Sequence, residues 1–183
     1  CIRDSLTTFD GLVGNLTILG AIDISGAGGL DLDAAIALAN GTAGAASLDV
    51  NAASNLGANV VTTGNQTYTG AVTLSADNTL TATGGGDMAF ASTTDGAQDL
   101  TLVTSTGDIA FTGAIGATTG LNALTTTSVL FSAADIKVGG AIDITNTGAG
   151  SITGVISDDG ASAASLTKAG AGTLTLSGTN TYT

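Results

Sequence analysis

Apolar residues recur along this chain in a short motif, two apolar side chains flanking one polar or small residue. Leu16-Thr17-Ile18, Ile22-Asp23-Ile24, Leu30-Asp31-Leu32 and Leu48-Asp49-Val50 open the series. Val72-Thr73-Leu74, Leu100-Thr101-Leu102, Ile142-Asp143-Ile144 and Leu174-Thr175-Leu176 continue it. A period of two puts both apolar side chains on one side of an extended strand and the Thr or Asp on the other. Each unit is too short to bury a core alone. Gly, Asn, Asp or Ser separates most of them, as strand boundaries require. The chain reads as many short strands joined by tight turns.

A longer period selects the architecture. Leu80, Leu100, Leu121 and Ile142 are 20, 21 and 21 residues apart, and Phe90, Phe111, Phe131 and Ile152 are 21, 20 and 21 apart. Val60 and Leu38 extend the first column, and Tyr68 and Leu48 the second. Three short strands and three turns take about 20 residues, so one period predicts one coil of a three-sided, all-β parallel solenoid. Equivalent residues would then stack at about 4.8 Å, giving an internal Phe90-Phe111-Phe131 ladder. The whole chain would make about nine coils, a rod on the order of 40 Å long. A β-sandwich has no reason to keep such a register over so many turns.

The solenoid is expected over 13–183. Residues 1–12, with Arg3, Asp4, Phe9 and Asp10, form a more charged N-terminal cap or junction segment. The alanine-rich stretch 33–46 admits a short helix capped by Asp33. Its Ile36-Ala37-Leu38 alternation and Asn40-Gly41 turn signal favour strand. Residues 161–164 fit a wide turn.

Composition supports the all-β reading. All 15 acidic residues are Asp, which favours turns and caps over helix interiors. Proline is absent, and 28 glycines supply the turn geometry together with Asn and Asp. Three basic residues, Arg3, Lys137 and Lys168, leave a net charge of -12. That balance repels nucleic acid and anionic lipid, and no apolar run is long enough for direct membrane insertion as a helix. A hydrophobic fraction of 43% argues for a folded chain. The single cysteine, Cys1, excludes an internal disulfide framework and reads as a free chain end rather than an acylated lipoprotein residue.

Two segments resemble known repeats. The run 166–183, Leu-Thr-Lys-Ala-Gly-Ala-Gly-Thr-Leu-Thr-Leu-Ser-Gly-Thr-Asn-Thr-Tyr-Thr, is similar to the strand repeat of bacterial autotransporter passenger domains, and 64–74 is similar text. Asp95-Gly96-Ala97-Gln98-Asp99-Leu100-Thr101-Leu102 resembles the repeats of filamentous-haemagglutinin-like adhesins. The resemblance covers mainly 60–183. It implies a right-handed parallel β-helix that is secreted or held on the bacterial cell surface, for adhesion, aggregation or matrix building. Such a module is a stalk within a longer adhesin chain or the subunit of an extracellular fibre. Its partners would be copies of itself end to end, or the rest of the longer chain. The expected assembly interface is Leu174 and Leu176 of the final strand against Leu16 and Ile18.

Other chemistry is thinly represented. Asp158-Asp159, Asp31/Asp33 and Asp23 are the carboxylate groupings from which a polysaccharide-acting solenoid enzyme would be built, and histidine is absent. Asp158-Asp159-Gly160 reads better as a turn. No catalytic residue, metal ligand or cofactor site is therefore assigned. Gly26-Ala27-Gly28-Gly29-Leu30-Asp31-Leu32-Asp33 faintly echoes a Ca²⁺-binding nonapeptide, but it occurs once and also reads as a turn. A further alternative is an ice-binding solenoid using outward Thr17, Thr73, Thr101 and Thr175. Asp23, Asp31, Asp49 and Asp143, which hold the same kind of position, would interrupt such an array.

Overall fold

The structure, a computed structural model, describes residues 6–14, 17–37 and 43–183. Every described element is a β-strand, and every strand pairs in parallel with strands a full turn away. Each turn of the solenoid lays one strand position on each of three faces. The first face stacks Thr7–Phe9, Leu30–Leu32, Ser54–Leu56, Val72–Leu74 and Thr94–Asp95, then narrows to Ile115 before Ile136–Val138 and Ile156–Asp158. The second begins with bridges at Val13 and Ile36. It continues through Val60–Thr62, Asn78–Ala82, Asp99–Thr104, Ala123–Ser128, Ala141–Asn146 and Ser165–Ala169. On the third lie Leu19–Ile24, Ala45–Val50, Gln66–Tyr68, Met88–Phe90, Ile109–Phe111, Phe131–Ala133, Ala149–Ile152 and Thr173–Leu176.

The solenoid has about 7 turns rather than the nine expected. The difference lies in the turns between strands. On the third face Ile24, Val50, Tyr68, Phe90, Phe111, Ala133, Ile152 and Leu176 stand in one column, so successive partners are 18 to 26 residues apart. No helix occurs among the described residues. Within 33–46, Ile36 and Ala37 form bridges and Ala45 opens a strand, while Leu38, Asn40 and Gly41 lie outside the described residues. Residues 161–164 do form a wide turn.

One apolar column after another fills the interior, and strand parity decides which side chains enter it. Leu80, Leu100, Leu121 and Ile142 are all at most 1% exposed. They are not one column, however. Leu80 pairs with Leu102, Leu100 and Ile142 both pair with Leu124, and Leu121 bridges Val138. Shifts by two along a strand keep every side chain on the same face, so burial survives where the register does not. Leu48 likewise pairs with Gln66, leaving Val50 against Tyr68.

The aromatic ladder is shifted in the same way. Tyr68 and Phe90 stack with centroids 5.0 Å apart and planes 10° apart, and Phe90 and Phe111 stack at 4.4 Å and 9°. Phe111 then pairs with Ala133, whereas Phe131 pairs with Ile109. The Phe131 ring therefore meets Phe111 at 6.4 Å with a 59° tilt instead of continuing the stack. The ladder proper is Tyr68-Phe90-Phe111, with Phe131 closing its end. Burial pushes the Tyr68 phenol well above its ordinary range, and its hydroxyl donates to Gln66 Oε1 at 3.3 Å.

Removing the central ring should be costly. Phe111→Ala takes away a contact on each side in a core that cannot close around the void, with an expected loss of roughly 3–5 kcal/mol. Denaturant unfolding of the variant measures this, and a loss below about 1 kcal/mol would mean that the ladder carries little of the stability.

Candidate functional site

The polar side chains work first at the corners. As the chain enters a strand, its first amide must find an acceptor in the neighbouring coil. Asn65 Oδ1 accepts from the Asp87 amide at 3.0 Å, Asp87 Oδ1 from Asp108 at 2.9 Å, and Asp108 Oδ1 from Leu130 at 3.0 Å. Asn59, Asp77 and Asp135 make equivalent bonds to Thr79, Asp99 and Val155, while Asp95 Oδ1 accepts from the Thr118 and Thr119 amides in the bend after Ile115. A second set lies inside. The buried Thr62 and Thr104 hydroxyls donate to the carbonyls of Gly64 and Gly107, each at 2.7 Å, and Asn146 Nδ2 donates to Gly148 at 2.6 Å. These inward polar residues fasten the corner between the second and third faces. The apolar alternation gave no sign of them, but a Thr or Asn followed two or three residues later by Gly marks all three.

Asp158 and Asp159 are held by the wide turn that follows them. Asp158 Oδ1 accepts from the Ala164 amide at 2.7 Å, and its Oδ2 from the Thr183 hydroxyl at 3.1 Å. Asp159 Oδ1 accepts from Ala161 and Ser162 at 2.8 and 3.0 Å. The Ala164 amide does most to lower the Asp158 carboxyl below its ordinary range. For Asp159 the Ala161 amide does most, with a smaller contribution from the Lys137 ammonium. Carboxylates held this way remain ionised at neutral pH, with Oδ1 of each committed to backbone amides of the turn.

Beside them on the first face is a shallow groove of about 340 Å³, lined by Ile115, Gly116, Asp135, Lys137, Val155 and Ser157. It exists because this face narrows to the single bridging residue Ile115. Lys137 Nζ reaches the Ala117 carbonyl at 3.3 Å.

The remaining acidic candidates separate. Asp31 lies on the first face, where its carboxylate accepts from Asn55 Nδ2 at 2.8 Å, and Asp33 lies in the turn beyond that strand. Asp23 lies on the third face, in register with Asp49. Among the described residues no group of three or more His, Cys, Asp or Glu side chains comes together. The segment 26–29 forms the bend before Leu30, where Gly29 has φ +83°.

At the last turn the columns lose their cover. Leu176 is 37% exposed, against 0% for its partner Ile152, and Leu166, Leu174 and Tyr182 are only partly buried. The strands Ser165–Ala169 and Thr173–Leu176 each pair on one side alone among the described residues. The backbone then turns into another layer of the first face, where the Thr181 amide donates to the Ile156 carbonyl at 2.9 Å. Lys168 stands in the inward column above Ile144 and bends its ammonium back to the carbonyls of Ala169 and Gly170. At the other end Leu6, Leu12, Ile18 and Leu19 are exposed, Ile18 at 50%. Leu16 lies outside the described residues.

Searched against protein-family models, curated proteins and solved structures, the chain matches none.

The depressed carboxyls at 158 and 159 imply a specific pH response. A lowered folded-state value means stability that is complete above the unfolded-state range and is lost as pH falls through the folded value. Asp158→Asn/Asp159→Asn should therefore melt below the wild type at neutral pH, and the gap should close in acid. A pH series of melting temperatures tests this, and a gap that widens in acid would refute it.

Proposed function

We propose that this chain is a non-enzymatic structural module of an extracellular bacterial surface protein, either an adhesin stalk or the subunit of a fibre. The observation that carries the reading is the solenoid itself, about 7 parallel turns whose corner side chains bond to the protein's own backbone. At the last described turn the inward columns meet a parallel edge that is unpaired among the described residues, and such an edge is a template for another parallel coil. In the stalk version the next coil comes from the rest of a longer chain. In the fibre version it comes from a second copy, whose first coils meet Leu174 and Leu176 near Ile18.

Further support comes from how the polar groups are used. The Asx side chains at the corners and the carboxylates of the wide turn are committed to backbone amides, which suits a scaffold better than a catalyst. The resemblance of 166–183 to adhesin strand repeats points the same way, and so does the charge of -12, which discourages side-by-side clumping in solution.

The two versions separate on assembly. A head-to-tail contact between copies does not close by symmetry, so it grows into a filament. In the fibre version the purified chain elongates with concentration, seen by sedimentation and electron microscopy. Leu176→Asp should then block elongation while leaving the β-sheet circular dichroism unchanged. A chain that stays monomeric at high concentration eliminates the fibre version and leaves the stalk.

A further inference from the structure

The outward side of the second face carries two columns of side chains in direct register. The first runs Thr79, Thr101, Thr125, Asp143, Thr167. The second runs Val61, Thr81, Val103, Thr127, Thr145, Ala169. The other two faces differ. The third presents Thr67, Ala89, Ala110, Ser132, Ser151 and Thr175, and the first presents Asp31, Asn55, Thr73, Asp95 and Lys137. Paired threonine columns therefore belong to one face and do not simply follow from a threonine-rich chain. Aspartate interrupts the threonines once, at Asp143, because Asp23 and Asp49 lie on the third face and Asp31 on the first. Thr73, Thr101 and Thr175 lie on three different faces, and of those aspartates only Asp143 falls within the paired columns.

Two properties say what this face suits. The corner hydroxyls of Thr62, Thr63, Thr83 and Thr104 are bonded to backbone carbonyls. None of the seven threonine hydroxyls of the paired columns makes a hydrogen bond within the described protein. They stand free, each beside a methyl group, on a backbone fixed by the ladder. Their spacing is also regular, about 4.8 Å between strands and roughly 6.6 Å from one column to the next. In a tetrahedral water lattice with hydrogen bonds of about 2.75 Å, second-neighbour oxygens lie about 4.5 Å apart, close to the strand spacing. The paired columns contain no aromatic ring on which a sugar would stack, and Asp143 is their one charge.

We infer that the second face is an adsorption surface for ice, with Thr79, Thr81, Thr101, Thr125, Thr127 and Thr145 ordering water in register with the crystal. Asp143 marks the edge of the useful area. This inference does not depend on how the solenoid ends are joined.

Nanolitre osmometry on the purified 183-residue chain tests it. The expected result is a freezing point held below the melting point, with shaped crystals. Thr125→Lys, at the centre of the array, should reduce that gap at least fivefold with the circular dichroism unchanged. Ser132→Lys on the third face should leave it intact, and Asp143→Thr should enlarge it. No gap at millimolar protein, or a gap that Thr125→Lys leaves unchanged, overturns the inference. So does sedimentation with crystalline cellulose or chitin that Thr125→Lys abolishes, since it would assign the face to a polysaccharide instead.

Discussion

Parallel backbone pairing between successive coils is the constraint from which the rest of this molecule follows. A strand in a solenoid has no partner in its own turn, so its amides and carbonyls are satisfied only by the coils above and below. That fixes the rise at about 4.8 Å and places each residue over its counterpart in a column. The corners are where the pairing would fail, because the chain must bend while its first amide still needs an acceptor. Asn65, Asp87 and Asp108 supply one from successive coils. A carboxylate or amide one methylene from the backbone reaches the next coil without leaving the corner. That geometry gives a physical reason for acidic residues that are all Asp. Close approach at the corners has a second consequence at Gly170, whose φ of +79° is joined by an Asn146 carbonyl that any Cβ would meet at 2.4 Å.

Columns also decide what the interior tolerates. Aliphatic and aromatic side chains gain by stacking on their own kind, as Tyr68, Phe90 and Phe111 do. Hydroxyls are admitted for a different reason. Thr62 and Thr104 fasten their corners, whereas the buried hydroxyls of Thr7, Ser54, Thr94 and Thr126 have no partner. An unpartnered buried hydroxyl costs about 1–3 kcal/mol, against roughly 3–5 kcal/mol at stake in one large ring. At Thr7, Thr94 and Thr126 the loss is offset by shape, because threonine fills nearly the space of valine in its column.

Strand parity was legible in the sequence, and register was not. Alternation marks which residues of Leu30-Asp31-Leu32 or Ile142-Asp143-Ile144 face inward, and the structure buries those residues. Turn length carries no comparable signal. Phe111 finds its partner 22 residues on, at Ala133, whereas the 20-residue spacing pointed to Phe131. A two-residue slip of this kind preserves the face and loses the column, which is why the core and the Phe90–Phe111 step were readable while the step to Phe131 and the coil count were not. Outward residues suffer more, because membership of a face depends on register. Thr73, Thr101 and Thr175 look alike in the sequence and lie on three faces, while the pairing of Thr79 with Thr101 and Thr125 is visible only in the folded chain. Leu174, Leu176 and Ile18 were legible as apolar positions, and the exposure of Leu176 comes from the absence of a coil above it among the described residues.

The edge of the last described turn is not uniformly apolar. Thr173–Leu176 offers an apolar column, but Ser165–Ala169 offers Lys168 where the coil below has Ile144. Covering that ammonium removes it from water, a cost that fixed carbonyls offset only in part. Its present acceptors, the carbonyls of Ala169 and Gly170, belong to the same corner and survive if the incoming coil leaves that corner intact. A coil with the wrong turn there would strand the charge, whereas one that preserves the turn or brings a carboxylate would not. An inward charge on an exposed edge therefore works against indiscriminate strand pairing. In the proposed end-to-end stacking the apolar column would supply the affinity, and Lys168 would restrict what can occupy the edge.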